Sequence, residues 1–108
     1  MKFDINEVIS EMVAAVKDVV GENWNEVLTV ANQFLQNRKE RLELLAELRI
    51  SGDISKKRFE SRLKDETLIA EAEFHAIAVI SKAVAQKAAN AAMEVLENAV
   101  KTAINIAK

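Results

Sequence analysis

The chain has 108 residues, a formal net charge of −2, and neither Cys nor Pro. A chain of this length forms one domain, expected over residues 1–108. Without Cys it has no disulfide, no thiolate metal site and no cysteine nucleophile. Half of its residues are apolar and only two are Gly. Because residues that favour turns or strands are so few, the composition predicts an all-α fold.

The first predicted helix runs from about residue 4 to residue 20. Apolar residues recur at helical spacing along one broad face, from Ile5 to Val20. Asp4 and Glu7 have the spacing of an N-cap and the acid that follows it. Gly21 then ends the helix, because Gly readily adopts the left-handed conformation found there.

The second predicted helix spans about residues 24–50, longer than the average helix of about 12 residues. Asn23 and Glu26 have the spacing of a capping box at its start. An apolar stripe follows the helix, and Arg38 interrupts it where an apolar residue would fit. Gly52 ends the helix.

The connection after this helix, residues 51–55, is short enough to predict an antiparallel hairpin between the second helix and the next one. Folding at Gly52 brings together five pairs of opposite charge: Glu47 with Lys57, Glu43 with Arg62, Glu40 with Lys64, Lys39 with Asp65, and Arg38 with Glu66. Exposed ion pairs contribute less than about 1 kcal/mol each, so these pairs would set the register of the hairpin more than its stability.

Residues 45–63 follow the pattern Leu45-x-x-Leu48-x-x-x-Gly52-x-Ile54-Ser55-x-x-x-Phe59-x-x-x-Leu63. This pattern resembles the short helical-hairpin module called SHOCT. The chain differs from that module in having Arg58 before the Phe, where an acid is usual, and in carrying the pattern centrally rather than at a C-terminus. The resemblance implies a role in interaction or oligomerisation, not in catalysis.

The third predicted helix extends over about residues 55–107, where there is no Gly or Pro. Its apolar residues alternate at spacings of four and three, as in a coiled-coil seam. Unbroken, it would be about 80 Å long, against a radius of gyration of about 13 Å for a compact domain of this size. We therefore predict three helices, the last very long and reaching a second chain. The alternative is a break near residues 86–90 that gives a monomeric four-helix bundle.

The Ala-rich second half of this helix is the predicted interface. The second helix can cover the third only as far as about residue 81, and the tail beyond it is apolar on several sides, which favours further neighbours. We expect a homodimer or a higher symmetric assembly. The residues predicted to form its interface are Val84, Ala88, Ala91, Ala92, Val95, Leu96, Ala99, Ala103 and Ile104.

No pattern in the sequence indicates catalysis, so we predict that the protein is not an enzyme. There is no nucleophile with a base, no Gly-rich phosphate loop and no HExxH motif. Glu71 and His75, four residues apart, share a helix face, but the Glu-x-x-His motif of carboxylate-bridged metal sites is absent. We therefore assign no catalytic, cofactor-binding or metal-ligating residue.

Residues 38–64 are basic, with nine Lys or Arg against five acids. One alternative function is therefore that of a nucleic-acid accessory protein, with contacts from Lys56, Lys57, Arg58 and Arg62. Aromatic residues that would stack on bases are not interleaved with these cations, which favours ion pairing within the hairpin. A second alternative is a membrane-surface or metal-binding helical bundle, although the Ala and Val of the tail partition weakly into membranes.

Taken together, the sequence predicts a non-enzymatic structural or adaptor module. It would assemble with itself through the C-terminal helix or bind another helical protein. A cytoplasmic location is expected, because the N-terminal residues lack the features of a secretory signal and no apolar run approaches about 20 residues.

Overall fold

The computed structural model describes residues 3–107, which confirm the predicted all-α fold. A 3₁₀ turn, Gly21–Asn23, joins the first two helices. The α-helices of this part of the chain are α1 (Ile5–Val20), α2 (Trp24–Ile50), α3 (Lys56–His75) and α4 (Lys82–Ala107).

Successive helices run up and down in a bundle with dimensions of 43 × 23 × 19 Å. Its long dimension matches α2, since a helix of 27 residues is about 40 Å long. α4 packs closely on both α1 and α3, and α2 packs on α1. The contact between α2 and α3 is the least extensive of those between neighbouring helices.

The single long helix predicted over residues 55–107 is wrong, because the chain leaves the helix at His75 and begins α4 at Lys82. Ser81 caps the new helix: its Oγ accepts a hydrogen bond from the backbone N–H of Val84 at 3.2 Å. Within the described range, positive φ occurs at Gly21 and Gly52, and neither lies in the turn between α3 and α4. The turn therefore needs neither Gly nor Pro, the two signals on which the prediction relied. The alternative site of a break, residues 86–90, lies inside an intact α4.

Burial explains why the chain folds back here. Ile80 is buried in the turn and Ile77 packs against the core. Hydrogen bonds from Ile77 N–H to the Phe74 carbonyl and from Ile80 N–H to the Ile77 carbonyl hold the turn. Folding back also removes the apolar side of α4 from water, which the extended helix could do only with a second chain. The structure is thus the four-helix alternative.

Most of the predicted helix ends are confirmed. The Asp4 carboxylate accepts hydrogen bonds from the backbone N–H groups of Asn6 and Glu7, at 2.9 and 3.4 Å. The capping box predicted at Asn23 is wrong, since that side chain makes no capping hydrogen bond and the 3₁₀ turn continues directly into α2. Ser55 caps α3 by accepting a hydrogen bond from the N–H of Arg58 at 3.0 Å.

Replacing Ser81 by Ala should destabilise the bundle by about 1 kcal/mol, because the first turn of α4 loses its side-chain cap. The free energy of unfolding, measured by urea denaturation followed by circular dichroism, tests this. Ser61→Ala is the matched control, since Ser61 is exposed in the interior of α3. Equal stability of the two variants would contradict a role for the cap.

Candidate functional site

A partly buried ion pair joins α2 to α3. The Arg38 guanidinium donates from Nε and Nη2 to Oε1 of Glu66 at 2.9 and 2.8 Å, and from Nη2 to Oε2 at 2.6 Å. Glu66 is only 4% exposed. This pair was one of the five predicted across the hairpin, and it explains why an arginine interrupts the apolar stripe of α2. The other four predicted pairs are not formed within 4 Å between described residues.

A second arginine also contacts Glu66. The Nε of Arg41 lies 3.3 Å from Oε2 of Glu66, but the Arg41 side chain is mostly exposed. The carboxylate of Glu66 is therefore shared between two guanidinium groups, one largely buried and one facing solvent. Both arginines come from α2, so the pairing sets the register between α2 and α3.

Beside this ion pair, a groove lies along the outer side of the α2–α3 hairpin. We call it the α2–α3 groove, and its volume is about 340 Å³. Four aliphatic side chains line it together with three arginines and two acids. The lining residues are Arg41, Leu44, Leu45, Leu48, Ile54, Arg58, Arg62, Asp65 and Glu66.

The groove exists because α2 is apolar on two sides. Leu42 and Ala46 lie on the side that faces the core and are fully buried. Successive helical residues are separated by about 100°, so Leu44 and Leu48 are turned away from that side. Leu44 is 58% exposed and Leu48 is half-buried. A helix that is apolar on more than one side favours a further neighbour.

The nine interface residues predicted on the C-terminal helix are buried or half-buried in the structure. Ala88, Ala92, Leu96 and Ala103 are buried within the bundle. The other five are half-buried: Val84, Ala91, Val95, Ala99 and Ile104. The fold-back at Ser81 accounts for this, because it places α4 on α1 and α3. An interface built on the four buried residues would require the bundle to open.

The four residues predicted to contact nucleic acid do not form one patch. All four are exposed. Arg58 and Arg62 line the α2–α3 groove, whereas Lys56 lines a furrow between α3 and α4. Residues two apart on a helix do not share a face, which separates Lys56 from Arg58.

Metal and membrane sites were the remaining sequence-based alternatives. His75 is exposed and Glu71 is half-buried at the end of α3. Within residues 3–107, no three His, Asp or Glu side chains are grouped as a metal site requires. No helix in that same range combines the length and apolar character needed to cross a bilayer.

Comparison with known proteins yields no match to a protein family, a curated protein or a solved structure. The resemblance to SHOCT therefore rests on the residue pattern alone. Two features of that pattern are present in the fold, because Gly52 lies in the hairpin turn with φ of 86° and Phe59 is buried.

The groove was not predicted from the sequence. Its signal was present as a second apolar stripe on the second helix, at Leu44 and Leu48 beside Arg41. The two apolar stripes of α2 can be told apart only when the side of α2 that faces the core is known.

Replacing Arg38 by Met should destabilise the fold by about 2 kcal/mol. This is less than the roughly 3–5 kcal/mol of an unpaired buried charge, because Arg41 still contacts Glu66. Arg41→Met, the matched control, should cost well under about 1 kcal/mol since that side chain is exposed. The double variant Arg38→Met, Glu66→Leu should recover most of the loss, because it removes the buried charge. Urea denaturation measures all four proteins, and equal losses for the two single variants would contradict this interpretation.

Replacing Ala92 by Glu should destabilise the bundle by more than about 4 kcal/mol, because it places a carboxylate at a fully buried position. Ala83→Glu is the control, as Ala83 is exposed in the first turn of α4. Thermal unfolding by circular dichroism and solution mass by light scattering are the measurements. An Ala92→Glu protein that stays folded while its mass falls would instead support the interface predicted from the sequence.

Proposed function

We propose that this protein is a non-enzymatic interaction module that binds a helix of another protein in the α2–α3 groove. The observation that carries the proposal is the groove itself, which is lined by one exposed leucine, Leu44, and three half-buried aliphatic side chains. Leu44 is the most exposed large apolar side chain of the hairpin, at 58%. Apolar grooves between helices are a recurring means of binding amphipathic helices.

Exposed large aliphatic residues lie mainly on the hairpin, and Leu44 is the one among them that lines the groove. Of the six such residues within residues 3–107, four lie on α2 and α3: Leu28, Leu44, Leu68 and Ile69. Ile69 follows Arg62 and Asp65 along one face of α3, by the spacing of helical turns. The apolar surface left open by the fold is therefore concentrated on the hairpin.

The dimensions of the groove suit a short helix. Its lining residues on α2 extend from Arg41 to Leu48, and those on α3 from Arg58 to Glu66. Stretches of this length correspond to about 10–12 Å, which is roughly two helical turns. A bound helix would therefore present apolar residues at positions i, i+3 or i+4, and i+7.

The apolar area available supports moderate affinity. Full burial of one leucine side chain contributes about 1.5–3 kcal/mol. The groove offers four partly buried aliphatic residues, and association loses part of this gain through ordering of both partners. We expect dissociation constants on the order of 1 μM, equivalent to about 8 kcal/mol. Such affinity is typical of reversible adaptor contacts rather than of permanent assembly.

Selection from a phage-displayed library of amphipathic helical peptides tests the function. Enriched peptides should carry apolar residues at i, i+3 or i+4, and i+7, and should bind the wild-type protein. Binding should fall at least tenfold to Leu44→Glu, because a carboxylate then lies among the aliphatic side chains of the groove. Fluorescence anisotropy with the enriched peptides measures the change.

Leu68→Glu is the matched control. Leu68 is an exposed leucine of similar accessibility, at 55%, and it does not line the groove. This variant should bind the enriched peptides as the wild-type protein does. The proposal is wrong if no peptide is enriched, or if Leu44→Glu and Leu68→Glu change binding equally.

A further inference from the structure

We infer that the α2–α3 groove selects an acidic amphipathic helix, with Arg58 and Arg62 binding its carboxylates. This inference rests on the proposed function and names the chemistry of the partner. It joins two separate features of the hairpin, an aliphatic floor contributed mainly by α2 and a cationic edge contributed by α3.

Arg58 and Arg62 are positioned to bind an anion. They lie one helical turn apart on α3, line the groove and are exposed. The ion pairs formed within residues 3–107 involve Glu66 with Arg38 and Arg41. No carboxylate of that range therefore lies within 4 Å of either guanidinium on α3. Two arginines beside an apolar surface remain available for a partner.

The charges along the groove favour an acidic partner. Glu66 is already bonded to Arg38 and Arg41, so its charge is compensated inside the fold. Asp65 is the other acid in the lining, against the two arginines of α3. The edge of the groove formed by α3 is thus cationic, and complementary charges on a partner increase both specificity and the rate of encounter.

A second copy of this chain fits the groove poorly. In a two-fold symmetric contact the same patch meets itself. If the groove were the centre of such a contact, Arg58 and Arg62 of one copy would lie near Arg58 and Arg62 of the second copy. Like charges at an interface oppose association. A different protein with carboxylates beside its apolar stripe avoids this repulsion.

A nucleic acid also fits the groove poorly. Its phosphates would satisfy Arg58 and Arg62, but they would leave Leu44 and Leu48 exposed. The groove lining contains no aromatic side chain on which a base could stack. A helix can contact both the aliphatic and the cationic part of the groove. A Glu or Asp one helical turn from an apolar residue lies next to that residue on the helix surface, so both side chains face the groove together. Carboxylates bind arginine in bidentate geometry, which would fix the orientation of that helix.

Three synthetic peptides of equal length test the inference. Each carries the same leucines at i, i+4 and i+7, and the positions flanking this stripe are Glu, Gln or Lys. Fluorescence anisotropy at low salt should show the Glu peptide binding about tenfold more tightly than the Gln peptide, and the Lys peptide binding most weakly. The preference should shrink as salt is raised, because exposed ion pairs are screened.

The double variant Arg58→Gln, Arg62→Gln should reduce affinity for the Glu peptide to that of the Gln peptide, and should leave the Gln peptide unaffected. The matched control is Lys57→Gln, Lys64→Gln, which removes the same charge from exposed positions of α3 outside the groove. The control should change affinity for the Glu peptide less than twofold. Circular dichroism verifies that both variants remain folded.

The outcomes separate this inference from the proposed function. Equal binding of the Glu and Gln peptides, lost in Leu44→Glu, would overturn the acidic preference and leave the groove as a helix-binding site. Equal weakening by the two double variants would also overturn it, because the charge effect would not come from the groove. An RNA duplex that displaces the Glu peptide and depends on Arg58 and Arg62 would replace the inference with nucleic-acid binding. Failure of all three peptides to bind at millimolar concentration would overturn both proposals.

Discussion

The packing of α4 inside the bundle is the constraint on which the rest of the structure depends. Small side chains let helices approach to the short end of the usual spacing of about 8–10 Å. α4 can therefore contact α1 and α3 as neighbours and also α2 across the bundle. Its fully buried alanines are Ala85, Ala88, Ala89 and Ala92. α2 meets the core through one side, at Leu42 and Ala46, and its second apolar side stays on the surface.

The ion pair between Arg38 and Glu66 determines how α2 lies against α3. α2 and α3 share the least extensive contact of the neighbouring helices, so apolar packing alone specifies their register weakly. A bidentate arginine–carboxylate pair has strict geometry, and a buried ion pair can contribute more to the choice of one arrangement than to net stability. With the register set, Leu44 and Leu48 of α2 lie alongside Arg58 and Arg62 of α3.

Local signals in the sequence were sufficient for the first half of the fold. Asp4 and the two glycines placed the ends of α1 and α2 close to their observed limits, although the capping box at Asn23 is not formed, and charge pairing identified Arg38 with Glu66. The fold-back has no Gly or Pro to signal it in the sequence, and the Ser81 hydroxyl caps α4. Tertiary burial decides this turn, since nothing in its backbone requires Gly. The groove could not be predicted either, as its residues come from two helices and meet only after the hairpin forms.

One physical rule applies to both α4 and α2. A helix apolar on several sides requires several neighbours, and the sequence predicts that requirement for the C-terminal helix. There the chain supplies the neighbours itself, because the turn at Ser81 returns α4 to α1 and α3. Once all the helices of residues 3–107 are used in this way, the outer side of α2 has no remaining helix to cover it. Apolar surface without a neighbouring helix in the described chain therefore lies at Leu44 and Leu48, beside the two arginines of α3 that no carboxylate of the described chain engages.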